Sequence, residues 1–141
     1  MIDARTAPYA AALLRQKLGD AFDVLSCGFH AVGGRASPPG LVKLAASHGL
    51  DLASHRSTRV HIEDIARADL VIVMDRHNWQ AVQSAGGARR IVWLGAMDGG
   101  GEIRDPYGRD ESAMRSAIER LHRCTERLAE RISSHSDSPP A

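Results

Sequence analysis

The chain has 141 residues, 43% of them apolar and 25% charged, with a formal net charge of +1, the size and balance of one folded domain with its own core. It lacks the basic footprint of a nucleic-acid binder, shows no leader pattern, and has no apolar run near the roughly 18 residues of a membrane span, so a cytoplasmic protein is expected. The two cysteines, Cys27 and Cys124, lie far apart and show no Cys-x-x-Cys or Cys/His spacing, so neither a disulfide framework nor a metal site is expected.

Residues 8–18 predict a helix: Pro8 suits a first turn, Ala11, Leu14 and Leu18 recur at helical spacing, and Gly19 stops the run. Arg5 and Thr6 just before it would make an anion grip, because first-turn N–H groups point outward without partners. Residues 22–28 read as a strand and 29–40 as a glycine- and proline-rich loop. Helical spacing returns at Leu41, Leu44 and Ala45 with Gly49 as the stop, and again briefly at Ile62 and Ile65, with polar, irregular chain between.

Residues 70–74 form an unbroken apolar run ending at Asp75, the pattern of a strand covered on both faces. A short helix over residues 76–84 carries Trp79 and Val82, a third strand covers 90–95, and Gly99, Gly100 and Gly101 mark a loop before the Asp105-Pro-Tyr107 turn. Met114, Ile118, Leu121, Thr125, Leu128 and Ile132 trace one face of a long last helix, and residues 133–141 are expected to be a disordered tail. Strands alternating with helices imply an α/β domain over residues 1–132 with a parallel sheet, whose ligand sits at the carboxyl ends of the strands.

The order and spacing of several segments resemble the low-molecular-weight protein tyrosine phosphatases, especially bacterial relatives found with polysaccharide-export systems. These are the helix start at Pro8-Tyr-Ala-Ala-Ala-Leu-Leu14, Ser26-Cys-Gly-Phe-His30, Gly34-Arg-Ala-Ser-Pro38, Asp51-Leu-Ala-Ser-His-Arg-Ser57, Val73-Met-Asp75 with Asn78, and Asp105-Pro-Tyr107. The resemblance runs over about residues 5–132 and implies a flavodoxin-like, three-layer αβα fold whose family has four parallel strands. It implies a phosphate loop, a Cys followed by Arg and Ser/Thr, between the first strand and first helix, where the thiol attacks the phosphate and no cofactor is needed.

Under that resemblance Asp105 matches the general acid that protonates the leaving phenol, and Tyr107 the aromatic wall beside it. Arg5 and Thr6 match the phosphate-holding pair, with Ala7 one residue extra before Pro8. Aligned on Pro8 instead, Thr6 takes the Arg position and Ala7 the Ser position; the first register is preferred because a guanidinium grips a phosphoryl group with two bonds. In that register the thiol falls two positions before Met1, and the inner first strand is missing with it, leaving residues 22–28 and 70–75 to pair with each other or stand open.

A reading frame that begins earlier is favoured over a degenerate remnant, because Asp105 and Tyr107 are intact. Cys27 and Cys124 read as small buried hydrophobes rather than substitutes, and Thr6 has no evident base. His55 and Arg56 read as makers of loop hydrogen bonds. The expected activity is phosphotyrosine hydrolysis with a phosphotyrosine protein as partner, by analogy a bacterial tyrosine kinase; the alternative is an inactive domain that keeps anion or partner binding. A related arsenate reductase is disfavoured, since residues 80–94 hold no cysteine.

Overall fold

The computed structural model describes residues 6–29, 33–104 and 110–136. Helix α1, Ala7–Leu18, starts at the proline-bearing turn and ends at Gly19, whose φ of 67° favours a residue without a Cβ. Helix α2, Pro39–Ser47, and the one-and-a-half-turn α3, Ile62–Arg67, follow. Strand β1, Val71–Val73, crosses through α4, Arg76–Ser84, to β2, Ile91–Trp93, and the two strands pair in parallel with Val71 opposite Ile91. A 3₁₀ helix, Leu94–Asp98, continues directly from β2, and α5, Glu111–Ser136, closes the domain.

Three layers follow from the alternation of β1. Ile72 and Met74 point into a core shared with α1, α2 and α5, which holds Tyr9, Leu13, Leu14, Leu41, Ile118 and Leu121. Val71 and Val73 point the other way, into a second core with Ile65, Val82, Trp79 and Trp93 from α3, α4 and β2. Since Val71, Ile72 and Val73 are at most 5% exposed, the apolar run at 70–74 is a strand covered on both faces, as its sequence pattern implies.

Two expectations are corrected. Among the described residues, 22–28 are not assigned to a strand: Gly28 has an isolated parallel bridge to Arg59, and β1 pairs with β2. A cavity of about 480 Å³ is lined by Leu14, Leu18, Val24, Leu25 and Ile72 among others. The expected disordered tail is helical through Ser136, with Ser134 Oγ donating to the Glu130 carbonyl at 2.9 Å; residues 137–141 lie outside the described residues. The 3₁₀ helix after β2 was not legible either, because nothing in Leu94–Asp98 distinguishes a tightened turn from loop.

The predicted face of α5 is the buried one: Ile118, Leu121, Thr125 and Leu128 are at most 3% exposed, and Cys124 and Ala129 join them. The same helix holds the glycine loop through Arg120. Its Nε donates to Asp98 Oδ2 at 2.9 Å and its Nη2 to Asp98 Oδ1 at 3.2 Å, while Nη1 and Nη2 reach the Glu102 and Gly101 carbonyls at 2.8 and 3.2 Å. Glycine is required for this approach: a Cβ at Gly95 would run into the Gly101 carbonyl, and one at Gly100 into the Arg120 guanidinium.

Leu121→Ala is expected to cost about 2–5 kcal/mol, the usual range for emptying a core leucine site, read as a lower midpoint in urea unfolding with the slope unchanged. The Asp98 carboxyl is held well below the usual carboxylate range, first by its hydrogen bonds from Arg120. A depressed folded pKa gives stability that is present above the unfolded value and lost as pH falls through it. Arg120→Met should therefore destabilise the fold at pH 7, and its deficit relative to the parent should shrink below about pH 4; a deficit equal at pH 7 and pH 3 would contradict the ion pair.

Candidate functional site

The carboxyl end of β1 gathers the segments that the sequence analysis singled out. Thr6 is the N-cap residue of α1, buried to 3% exposure, and its carbonyl accepts from the Tyr9 and Ala10 amides at 3.1 and 3.4 Å. Its hydroxyl does not cap the helix; Oγ1 donates to Met74 Sδ at 3.4 Å. On the other side of Met74, its carbonyl accepts from the Ile103 amide at 2.8 Å. The residue that follows β1 thus contacts both the start of α1 and the chain that leads to Asp105.

That leading chain is fixed from two further directions. Glu102 Oε1 accepts from the Arg76 amide at 2.6 Å, tying it to the first turn of α4, and the Glu102 carbonyl accepts from Arg120. Asp75, next to Met74, caps α4 by accepting from the Asn78 amide at 2.8 Å. The Asp75 carboxylate is therefore the cap of α4, and Asn78, whose amide it receives, is buried.

Two further segments of the resemblance, around Gly34 and Ser57, are loops locked together. Gly34 donates to the Ser57 carbonyl at 2.9 Å, Ser57 to the Arg35 carbonyl at 2.7 Å, and the Arg35 amide to Ser57 Oγ at 3.0 Å. Gly28 and residues 58–60 are joined likewise, Gly28 donating to Thr58 and Val60 to Gly28. Arg35, Arg56 and Arg59 all lie on these loops, and the His55 proton affinity is lowered by burial and then by Arg15 and Arg56. Arg56 Nη1 donates to the Ala53 and His55 carbonyls, as its expected loop role requires.

Of the four predicted site residues, Thr6 is placed at the α1 N-terminus, while Arg5, Asp105 and Tyr107 lie outside the described residues. Neither cysteine is at that N-terminus. Cys124 is fully buried in α5, its thiol pushed up by burial and then by Asp98; Cys27 packs against the second core, and burial pushes its thiol up as well. Both shifts disfavour the thiolate that nucleophilic attack needs. Among the described residues no cluster of three or more His, Cys, Asp or Glu side chains could hold a metal ion, and no helix is long and apolar enough to cross a membrane.

Glu102 and Arg120 were not picked out by the sequence, and Met74 only as part of the Val73-Met-Asp75 segment. Their partners, Thr6, Ile103, Arg76, Asp98 and loop carbonyls, lie far from them in the chain, which leaves no residue pattern to read.

Comparison with known proteins gives the arrangement its context. The sequence model of the low molecular weight phosphotyrosine protein phosphatases matches residues 4–138. The chain is 35% identical over 127 residues to the probable low molecular weight protein-tyrosine-phosphatase EpsP of Ralstonia nicotianae, covering 89% of this chain and 86% of that protein. It is 27% identical over 128 residues, with the same coverages, to the low molecular weight protein-tyrosine-phosphatase Etp of Escherichia coli K12. In structure it is similar to the tyrosine phosphatase Wzb of Escherichia coli K30, solved in complex with sulphate, with a TM-score of 0.84, 26% identity, and coverage of 93% of this chain and 94% of Wzb. The fold is thus the flavodoxin-like αβα architecture, and the chain belongs to the low molecular weight phosphotyrosine protein phosphatase family.

Proposed function

We propose that the rim at the end of β1 serves phosphotyrosine hydrolysis, with Arg5 and Thr6 holding phosphate oxygens, Asp105 as the general acid and Tyr107 flanking the phenyl ring. The observation that carries the reading is the double contact of Met74, which sets Thr6 and the chain entering Asp105 on either side of one strand end. A phosphoryl group at the α1 N-terminus would meet the positive end of the helix dipole and a guanidinium suited to two parallel bonds.

The reaction has two balanced steps. A thiolate attacks phosphorus, the bond to the phenolic oxygen breaks, and Asp105 gives its proton to that oxygen. Water then attacks the cysteinyl phosphate, the Asp105 carboxylate takes its proton, and inorganic phosphate and thiolate are released. By resemblance the substrate is a phosphotyrosine protein, an autophosphorylated tyrosine kinase of a polysaccharide system being the candidate, met in the cytoplasm.

A second reading, a domain that binds phosphate esters without turnover, is favoured by one observation: the thiols of Cys27 and Cys124 are both pushed up by burial. The 141-residue chain is accordingly expected to leave 4-nitrophenyl phosphate unhydrolysed above background. Hydrolysis abolished by Cys27→Ala or Cys124→Ala would refute the roles given to those residues. In any form of the protein that turns over, Asp105→Asn should lower kcat by about 10²–10⁴, the range for losing a general acid; an unchanged kcat would remove Asp105 from the mechanism. The two readings separate on the coding DNA in frame before Met1: an apolar strand ending in Cys favours hydrolysis, and an immediate stop codon favours binding alone.

A further inference from the structure

Away from the rim, the first turn of α1 is fastened by a group of ionisable side chains that the phosphatase reading does not use. Tyr9, fully buried, meets His122 of α5 through its hydroxyl, with Oη 2.7 Å from Nδ1. His48, the residue that ends α2, stacks on the same ring with centroids 4.8 Å apart and planes tilted by 40°. Its imidazole also stands edge-on to the Tyr9 ring at 6.2 Å. On the far side His122 Nε2 lies 3.3 Å from Glu126 Oε1, and Lys17 Nζ lies 3.4 Å from the other oxygen of the same carboxylate. The groups acting on His122 are therefore Tyr9 and Lys17 from α1, His48 from the end of α2, and Glu126 from α5 itself.

The proton inventory of this group permits one closed state. Burial, and then Glu126, push the Tyr9 hydroxyl up to about 12, so it keeps its proton, and the Glu126 carboxylate beside Nε2 selects the neutral tautomer in which Nδ1 accepts from the phenol. Nδ1 must then be bare and Nε2 carries the proton that faces Glu126. A second proton on His122 has only Nδ1 to go to, where it meets the tyrosine proton. The phenol would have to turn round and accept, giving up the bond that it donates to Nδ1 in the closed state.

We propose that Tyr9, His122 and His48 form a proton-operated latch on the first turn of α1, closed while the His122 imidazole is neutral and released when it gains a proton. The latch joins α1, the end of α2 and α5 at a point three residues from Thr6, so its release loosens the helix start that borders the candidate site. It depends on the geometry of described residues and not on the phosphatase reading.

The sign follows from the direction of the His122 shift. Its proton affinity is lowered by burial first, opposed by Glu126 and reinforced by His48 and Lys17. A lowered folded pKa means stability that is full above the ordinary histidine value and lost as pH falls below it toward the folded value.

The test is an NMR pH titration of the labelled 141-residue chain from pH 8 to pH 5. The His122 ring is expected to titrate below the ordinary histidine value, and the amides of Ala7, Tyr9, Ala10 and Ala11 to shift with the same midpoint. Tyr9→Phe keeps the ring and removes the competing proton, so the His122 midpoint should rise by about 0.5–1 pH unit, the size of one ordinary hydrogen bond. His48→Gln, at an exposed position that does not endanger folding, should also raise it by removing the second imidazole. A His122 midpoint that stays low in both variants would mean that burial alone sets it and would overturn the latch, as would α1 amides that ignore the titration.

Discussion

Met74 closes a strand that is buried on both faces, and its two polar contacts leave in opposite directions. The sulfur receives the Thr6 hydroxyl and the carbonyl receives the Ile103 amide. Because β1 is locked by apolar packing above and below, these contacts are fixed points rather than adjustable ones. The start of α1 and the chain that leads to Asp105 are thereby held at a set separation. Preorganisation of this kind is what an electrostatically assisted group transfer requires of its scaffold.

The approach to Asp105 shows how much structure is spent on one loop. Three glycines make it floppy in isolation, yet Arg120 threads its guanidinium between Asp98 and two carbonyls, and Glu102 turns back to the α4 N-terminus. The glycines are there for closeness, since a Cβ at Gly100 would occupy the space of the guanidinium. Rigidity in this segment comes from charge-assisted hydrogen bonds supplied by a distant helix, not from its own composition. The same helix, two residues on, also supplies His122 to Tyr9 in the first turn of α1.

The extended stretch before Gly28 illustrates the limit of local patterning. Residues 22–28 have the composition of a strand, but a strand is defined by a neighbour in register, and among the described residues β1 takes β2 as its neighbour and not this stretch. The β1 and α5 patterns were dependable for the opposite reason: their apolar positions are satisfied by packing against several elements at once, so periodicity and burial agree.

By itself the sequence determined the alternation of helices and strands, the doubly covered strand at 70–74, the buried face of α5 and, through the order of its short segments, the family. These are written in local periodicity and in residue types that particular turns demand, which a linear reading can follow. Only the tertiary structure decided that Thr6 turns its hydroxyl to Met74 instead of capping α1, that Arg120 anchors the glycine loop, and that Tyr9, His48 and His122 meet. Those pairs are separated by up to 113 positions in the chain, and no propensity or spacing links residues whose only relation is that a packed core brings them to bonding distance.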